Sequence, residues 1–370
     1  MFHCVMLQGN MGKNIKKTKT RVIVGLSGGV DSSIAAALLV KQGFDVIGVF
    51  MRNWSEDVGE FSCSWSEDLE DARRIAQLLG IRFYVWNFEK EYKQEVISYF
   101  FREYEAGRTP NPDVMCNREI KFKLFLNKAL QYGADYVATG HYARVVNRGG
   151  TYCLLRGKDK NKDQSYFLCT LGQRELSKSL FPIGEYTKPQ IRALAKKLNL
   201  PTFDKPDSQG ICFIGEIDVR DLLRRNIKMK AGDIIDAKGK VLGHHEGLPL
   251  YTLGQRGGLE IGGTGPYYVV AKDEKKNKLI VSNNPKDEML WRRQCIVGDL
   301  TWTREMEIPA QAEVTIRYRH PAYPATVEKM ANNKLRIIFQ ETQRAITPGQ
   351  LAVFYKGEEL LGSAVIDKVI

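Results

Sequence analysis

The string Ser27-Gly28-Gly29-Val30-Asp31-Ser32-Ser33 constrains this chain more than any other feature, because it stands between two runs of different character. Residues 22–26, just before it, are short and apolar, as in a buried strand, and residues 33–42, just after it, are longer and alanine-rich, as in a helix. A strand that turns through a glycine pair into a helix brings backbone amides, the hydroxyls of Ser27, Ser32 and Ser33 and the positive end of the helix dipole to one point. That is a cradle for an anion. A glycine turn with a Ser/Asp helix cap has the same geometry and no ligand, but the full string in this strand-to-helix setting favours the cradle. The string matches neither G-x-x-x-x-G-K-[ST] nor G-x-G-x-x-G, so P-loop kinases and dinucleotide-binding folds lose support.

The alternation continues along the chain. Residues 46–50, 83–88 and 136–139 read as strands, and residues 67–79, 91–104 and 122–132 as helices, which predicts an α/β fold with a doubly wound parallel sheet. After Pro201 glycine and proline become frequent. From Ala312 the period changes to two, with Val314, Ile316 and Tyr318 set against Thr315, Arg317 and Arg319, which predicts a C-terminal antiparallel β-barrel. Gly239 with Lys240, Lys276 with Asn277, and Gly357 with Glu358 read as turn tips. The expected organisation is a basic N-terminal extension over residues 1–20, a catalytic domain over 21–216, a small central domain over 217–287 and the barrel over 288–370.

Composition excludes several classes. The chain of 370 residues carries 55 Lys+Arg against 43 Asp+Glu, a formal charge of +12, which points to polyanionic partners. Its apolar runs, such as residues 34–40, fall far short of the roughly 18 residues of a membrane span. Lys13, Lys16, Lys17, Lys19 and Arg21 are not followed by the apolar stretch of a secretory signal. The seven cysteines are odd in number, scattered and without a C-x-x-C pair, which argues against a disulfide framework or zinc knuckle and for a reducing, cytoplasmic setting. His244, His245 and His320 offer no metal-ligand spacing, so no metal site built by the protein is expected.

Two cysteines stand apart from the rest. Thr109-Pro110-Asn111-Pro112-Asp113-Val114-Met115-Cys116-Asn117 reads as a stiff, turn-rich loop that ends in a cysteine just ahead of a helix starting near Glu119, a position that lowers a thiol pKa. Asp204-Lys205-Pro206-Asp207-Ser208-Gln209-Gly210-Ile211-Cys212-Phe213-Ile214 is a second polar loop with a cysteine beside its glycine. Cysteines in such loops are not expected to be core filler, whereas Cys63, Cys153, Cys169 and Cys295 read as small apolar side chains.

The Ser27 to Ser33 string resembles the pyrophosphate loop of the ATP-pyrophosphatase superfamily, whose members adenylate a carbonyl or amide oxygen. Together with the two cysteine segments, the chain from about Arg21 to its end resembles the tRNA-specific 2-thiouridylases. Further strings carry the likeness: Gly48-Val49-Phe50-Met51, Ala138-Thr139-Gly140-His141-Tyr142, Lys162-Asp163-Gln164-Ser165-Tyr166-Phe167, Tyr251-Thr252-Leu253-Gly254-Gln255-Arg256 and Arg317-Tyr318-Arg319.

The resemblance implies a sheet of the adenine-nucleotide alpha-hydrolase type and sulfur insertion at carbon 2 of the wobble uridine of tRNA. It implies ATP on Gly25, Leu26, Ser27, Gly28, Gly29, Val30, Asp31 and Ser32, with Met51 and Gly140 framing the adenosine and Mg2+ offsetting the phosphate charge. His141 is expected near the nucleotide. Cys212 carries a persulfide in this reading, Cys116 is the nucleophile that pairs with it as a disulfide after turnover, and Asp113 is the acid/base group. Asn111, Pro112 and Asp113 line the base pocket; Lys162, Asp163 and Gln164, with Arg317 and Tyr318 from opposite faces of a strand, hold the tRNA, and the central domain contacts it. The implied partners are tRNA and a persulfide donor, either a cysteine desulfurase or a sulfur-relay protein, and the protein is expected to act as a monomer. An ammonia-using synthetase of the same superfamily is the alternative enzyme, and a nonenzymatic RNA-binding protein the alternative of another class.

Overall fold

The computed structural model describes residues 19–55, 65–207, 218–262 and 266–370. Its N-terminal part is built on β1 (Arg21–Gly25), β2 (Asp45–Arg52), β3 (Arg82–Asn87), β4 (Tyr136–Ala138) and β7 (Ser179–Leu180), paired in parallel in the order β3-β2-β1-β4-β7. Both faces of β1 are buried. Val22 and Val24 pack with Ile34, Ile75 and Ile191 of the helices Val30–Lys41, Trp65–Leu78 and Lys188–Lys197, while Ile23 packs with Tyr92, Phe100, Ile120 and Phe125 of the helical runs on the other side. This is the doubly wound sheet that the unbroken apolar strands predict. The chain leaves β1 in one direction to β2 and β3 and returns on the other side of β1 with β4. The crevice between the carboxyl ends of β1 and β4 is therefore the switch point at which such sheets bind ligands.

The segment before β4 departs from expectation. The helical run starts at Pro112, not near Glu119, and continues to Gln131 with a π-type stretch over Asn117–Phe125. Asn111 caps it, its side chain accepting a hydrogen bond from the Val114 amide at 3.2 Å, and Pro112 occupies the first helical turn. Asn-Pro-Asp is a turn signal and also a helix start, and here the start wins. Cys116 accordingly lies inside a helix, and it is fully buried.

Past the sheet, β5 (Ala143–Arg148) and β6 (Thr151–Arg156) form a hairpin. A small central sheet contains β8 (Gly232–Ile235), β9 (Val241–His245), β10 (Tyr268–Asp273) and β11 (Lys278–Ser282), in the order β10-β11-β8-β9. The final strands are β12 (Trp291–Trp302), β13 (Ala310–Thr315), β14 (Tyr323–Lys329), β15 (Leu335–Arg344), β16 (Leu351–Lys356) and β17 (Glu359–Val369). They pair in the order β12-β15-β14-β13-β16-β17, and β17 returns to β12 to close an antiparallel barrel around Val314, Ile337, Phe339, Phe354 and Ile366. The hairpin β5–β6 adds to the outside of β17 through the pairs Glu359 with Leu155 and Leu360 with Leu154.

One detail of the barrel is corrected. Arg317 and Tyr318 are not on a strand, because β13 ends at Thr315 and residues 317–319 turn, with Arg319 at φ +60°. The inward alternation persists to Ile316, after which Tyr318 packs sideways against Phe167 at 4.2 Å between ring centres, leaving the ladder.

Candidate active site

The turn after β1 has the shape its glycines predict. Gly28 sits at φ +75°, and a Cβ there would lie 2.2 Å from the Asp68 carbonyl oxygen. Gly29 precedes the first helical residue in extended conformation, and no side chain caps the helix, so its first amides face outward from the turn. Within the loop, the Ser27 amide donates to Ser32 Oγ at 3.2 Å, and the hydroxyls of Ser32 and Ser33 donate to the Gly29 carbonyl at 3.1 and 2.8 Å. Gly140, beyond β4, closes the other side: a Cβ there would meet the Ser32 nitrogen at 2.6 Å and the Asp31 carbonyl carbon at 2.7 Å. Met51, at the end of β2, is buried, and its Cε lies 3.0 Å from where a Gly25 Cβ would stand. The fold thus brings Gly25 to Ser32, Met51 and Gly140 together at one edge of the sheet, around a helix start whose amides can receive an anion.

A charged cluster stands beside that loop. Lys188 is nearly buried and donates from Nζ to both oxygens of Asp31, at 2.9 and 2.8 Å, and to Asp207 Oδ1 at 2.6 Å. Tyr142 donates its hydroxyl to Asp31 Oδ1 at 2.7 Å. Asp207 also pairs with Lys162 and, at 3.3 Å, with Arg192. Burial pushes the Asp207 carboxyl up, but the hydrogen bonds and charges of Lys162 and Lys188 outweigh it and hold it at about 2. Lys205, two residues earlier, binds Asp68 and Asp71 at 2.7 and 2.6 Å, so the segment leading to Cys212 is tied to the rim of the cradle. Cys212 itself lies outside the described residues. Among the described residues no group of three or more His, Cys, Asp and Glu side chains is arranged to hold a metal ion.

The start of the Cys116 helix is gripped by the rest of the chain. The Thr109 amide donates to the Pro348 carbonyl at 2.9 Å, and Gln350 donates from its side chain to the Thr109 and Pro110 carbonyls at 2.9 and 3.2 Å. Thr109 Oγ1 also lies 3.2 Å from Thr252 Oγ1 of the central region. Three parts of the chain therefore meet at Thr109. Asp113, partly buried, precedes Cys116 by three residues and so shares its helix face; its carbonyl accepts from the Asn117 side chain at 3.0 Å. Cys116 packs in the core that also holds Tyr92, Ile120 and Phe125. At the fifth helical residue it stands a full turn past the helix start, where the dipole's pull on a thiol has faded. Phe125, further along the same helical run, reaches within 3.9 Å of the Gly25 Cβ position.

The residues expected at tRNA are already engaged within the chain. Asp163 accepts from the amides of Gly157 and Ser165 at 2.9 and 3.1 Å and from the Ser165 hydroxyl at 3.1 Å, and it pairs with Arg156 at 3.2 Å. Gln164 accepts from the Tyr142 amide at 3.0 Å. Arg317 donates to the Ala345 carbonyl at 3.0 Å, and the Tyr318–Phe167 contact places the two expected tRNA segments side by side. His141 is buried between Phe122 and Phe181, with Nδ1 2.7 Å from Thr139 Oγ1, and burial pushes its pKa well below the usual range.

Sequence reasoning missed Lys188, Gln350 and Asn53. Lys188-Pro189 reads as an ordinary helix start, and its partner Asp31 is 157 residues away. Asn53, two residues past Met51, is 1% exposed, and among the described residues neither its amide nitrogen nor its oxygen has a hydrogen-bond partner.

Residues 20–216 match a family model described as the tRNA methyl transferase HUP domain, residues 220–283 the tRNA methyl transferase PRC-barrel domain, and residues 292–366 the aminomethyltransferase beta-barrel domain. Over 354 residues the chain is 50% identical to the tRNA-specific 2-thiouridylase MnmA 2 of Geobacillus kaustophilus, covering 95% of each chain. Over 356 residues it is 51% identical to the tRNA-specific 2-thiouridylase MnmA of Alkaliphilus oremlandii, covering 95% of this chain and 98% of the relative. A solved 4-thiouridine synthetase–RNA complex with bound ATP aligns over 53% of this chain and 46% of its own, at TM-score 0.36 and 18% identity.

Proposed function

The chain belongs to the tRNA-specific 2-thiouridylase family, and on that premise we propose how its residues divide the work of replacing oxygen 2 of the wobble uridine with sulfur. An amide-like oxygen is a poor leaving group, and adenylating it turns the departure of oxide into the departure of AMP. The amides after Gly28 and Gly29, with Ser27 and Ser32, hold the triphosphate of ATP while uracil oxygen 2 bonds to the α-phosphorus and pyrophosphate leaves. Met51 and Gly140 flank the adenosine. Magnesium bound with the triphosphate would offset its charge, and the carboxylate of the loop that would meet it is Asp31, which Lys188 and Tyr142 hold in place.

Cys212 delivers the sulfur as a persulfide loaded by a cysteine desulfurase or a sulfur-relay protein. Its terminal sulfur bonds to carbon 2, and AMP departs with oxygen 2. The Cys116 thiolate then bonds to the Cys212 sulfur, and the electrons of the broken S–S bond remain with the new thiocarbonyl sulfur. A Cys116–Cys212 disulfide results, which a dithiol must reduce before the next turnover. Asp113 handles the proton on the same helix face, and Asn111 and Pro112 wall the pocket into which the base turns from its stack. Lys162, Asp163, Gln164, Arg317 and Tyr318 form the surface that holds the tRNA. In this division residues 21–216 carry the chemistry, while residues 217–287 and 288–370 position the substrate.

The observation that supports the reading is that Gly25, Gly28 and Gly140 converge on the turn at the carboxyl end of β1, with Lys205 tying the segment that leads to Cys212 to Asp68 beside Gly28. The test incubates the protein with unmodified tRNA, ATP, magnesium, a dithiol and a cysteine desulfurase with L-cysteine as the persulfide source, and looks for 2-thiouridine in the digested tRNA by mass spectrometry. We expect the thiolated nucleoside with the wild type and none with Cys116→Ser or Cys212→Ser. Cleavage of ATP to AMP and pyrophosphate with no sulfur in the tRNA would leave the adenylating half standing and remove the sulfur-transfer half.

A further inference from the structure

Asn53 is buried just past the carboxyl end of β2, with its whole carboxamide unpaired among the described residues. Arg52 Nε, its immediate neighbour, is also buried and orphaned, although the same guanidinium pairs with Glu89 at 2.9 Å. Three orphaned polar atoms thus fall on two consecutive residues. A buried amide without partners is disfavoured, and native structures tolerate one chiefly where a ligand or an ordered water completes it. The location decides what that ligand is. β2 pairs directly with β1, whose end forms the phosphate cradle, and Asn53 follows Met51, which touches the Gly25 position.

We infer that the Asn53 carboxamide is a specificity-determining contact for the adenine edge of ATP. The inference rests on the nucleotide role proposed above for the cradle. The carboxamide oxygen accepts from the exocyclic amine of adenine and its nitrogen donates to the neighbouring ring nitrogen, the pairing that asparagine makes with adenine elsewhere. Guanine presents a carbonyl oxygen where adenine has the amine, so the Asn53 oxygen would face another acceptor. Uracil also offers one donor beside one acceptor, but the uracil pocket proposed here is built on the helix that Asn111 caps, whereas Asn53 directly follows the strand beside the cradle.

The experiment measures direct binding of ATP, GTP and purine riboside triphosphate, which lacks the 6-amino group, to the full chain without tRNA. Wild type and Asn53→Leu are compared, with thermal unfolding recorded for both. We expect the wild type to bind ATP roughly tenfold more tightly than purine riboside triphosphate, and Asn53→Leu to lose about that factor for ATP and the discrimination with it. The variant should melt no lower than the wild type, since a leucine removes the orphaned groups. ATP affinity unchanged in Asn53→Leu overturns the inference. So does a lowered melting temperature with discrimination intact, which assigns Asn53 an internal structural partner, or a loss confined to tRNA affinity, which assigns it to the uracil. A wild type that binds ATP but does not tell it from purine riboside triphosphate removes this inference alone; one that binds no ATP removes the nucleotide reading as well.

Discussion

Lys188→Met tests the charged cluster beside the cradle. The substitution keeps most of the side-chain volume and deletes an ammonium that makes two bonds to Asp31 and one to Asp207. The damage falls unequally. Asp207 keeps Lys162 and Arg192, while Asp31 is left with the Tyr142 hydroxyl. Stripping the partner from a fully buried ion pair costs roughly 3–5 kcal/mol. Here the Asp31 and Asp207 side chains are 31% and 30% exposed, so solvent recovers part of the loss and the expected cost is about 2 kcal/mol. At roughly 2–4 °C per kcal/mol for a protein of a few hundred residues, calorimetry should show a drop of about 4–8 °C. Lys188→Arg should recover part of it.

The decisive arm adds Asp31→Asn to Lys188→Met. The uncompensated carboxylate disappears, so the double variant should be more stable than Lys188→Met alone by about 1 kcal/mol. A double variant that is less stable, or a Lys188→Met that melts with the wild type, would refute the reasoning. The pH dependence has a fixed sign. Asp207 is held at about 2, below the ordinary carboxylate value of 3.8, so the stability it draws from its cations is present above pH 4 and fades as the pH falls towards 2. The gap between wild type and Lys188→Met should narrow over that interval.

Three further outcomes are expected. Gly140→Ala drives a methyl group to 2.6 Å from the Ser32 nitrogen, so it should distort the cradle, abolish pyrophosphate release from ATP and destabilise by about 1–3 kcal/mol in urea titration. Asp163→Ala removes the acceptor of three hydrogen bonds and the partner of Arg156, and should lower stability by roughly 2–4 kcal/mol; weakened tRNA binding with unchanged stability would show that its role is in contact alone. Burial pushes the Lys272 ammonium down to about 8 from 10.5, and its contact with the Gly107 carbonyl is a long 3.4 Å. Lys272→Met should therefore stabilise the protein at neutral pH, by at most about 3 kcal/mol, with the advantage shrinking as the pH rises from 8 to 10.5.

The parts of this site that lie in consecutive residues were legible in the sequence. Ser27 to Ser33 needs glycines for backbone approach and hydroxyls for donors, and both show in the letters. The parallel sheet was legible because β1 is apolar on both faces. Asn111-Pro112-Asp113 was misread because the same three residues open a turn or cap a helix, and only the Val114 amide bonded to Asn111 decides between them. Arg317 and Tyr318 lost their strand to a turn fixed by the packing of Tyr318 on Phe167, a contact made across the fold. Lys188, Gln350 and Asn53 had no local signal. What distinguishes them is burial and partners supplied, or withheld, by residues remote in the chain.

The hairpin β5–β6 lies against the last strand of the barrel, and this sets an order of events during synthesis. The loop with Lys162 and Asp163 follows that hairpin directly, yet the outer edge of β6 is covered only when Leu154 and Leu155 pair with Leu360 and Glu359. Tyr166 likewise donates to the Leu351 carbonyl, and Ser363 to the Cys169 carbonyl. A nascent chain can therefore finish its parallel sheet on the ribosome but not this flank, which waits for the final residues to emerge. A frameshift or stop codon after about residue 350 would leave β6 as a bare edge, open to pairing between chains. The flank of the parallel-sheet region thus depends on strands of the barrel to cover it.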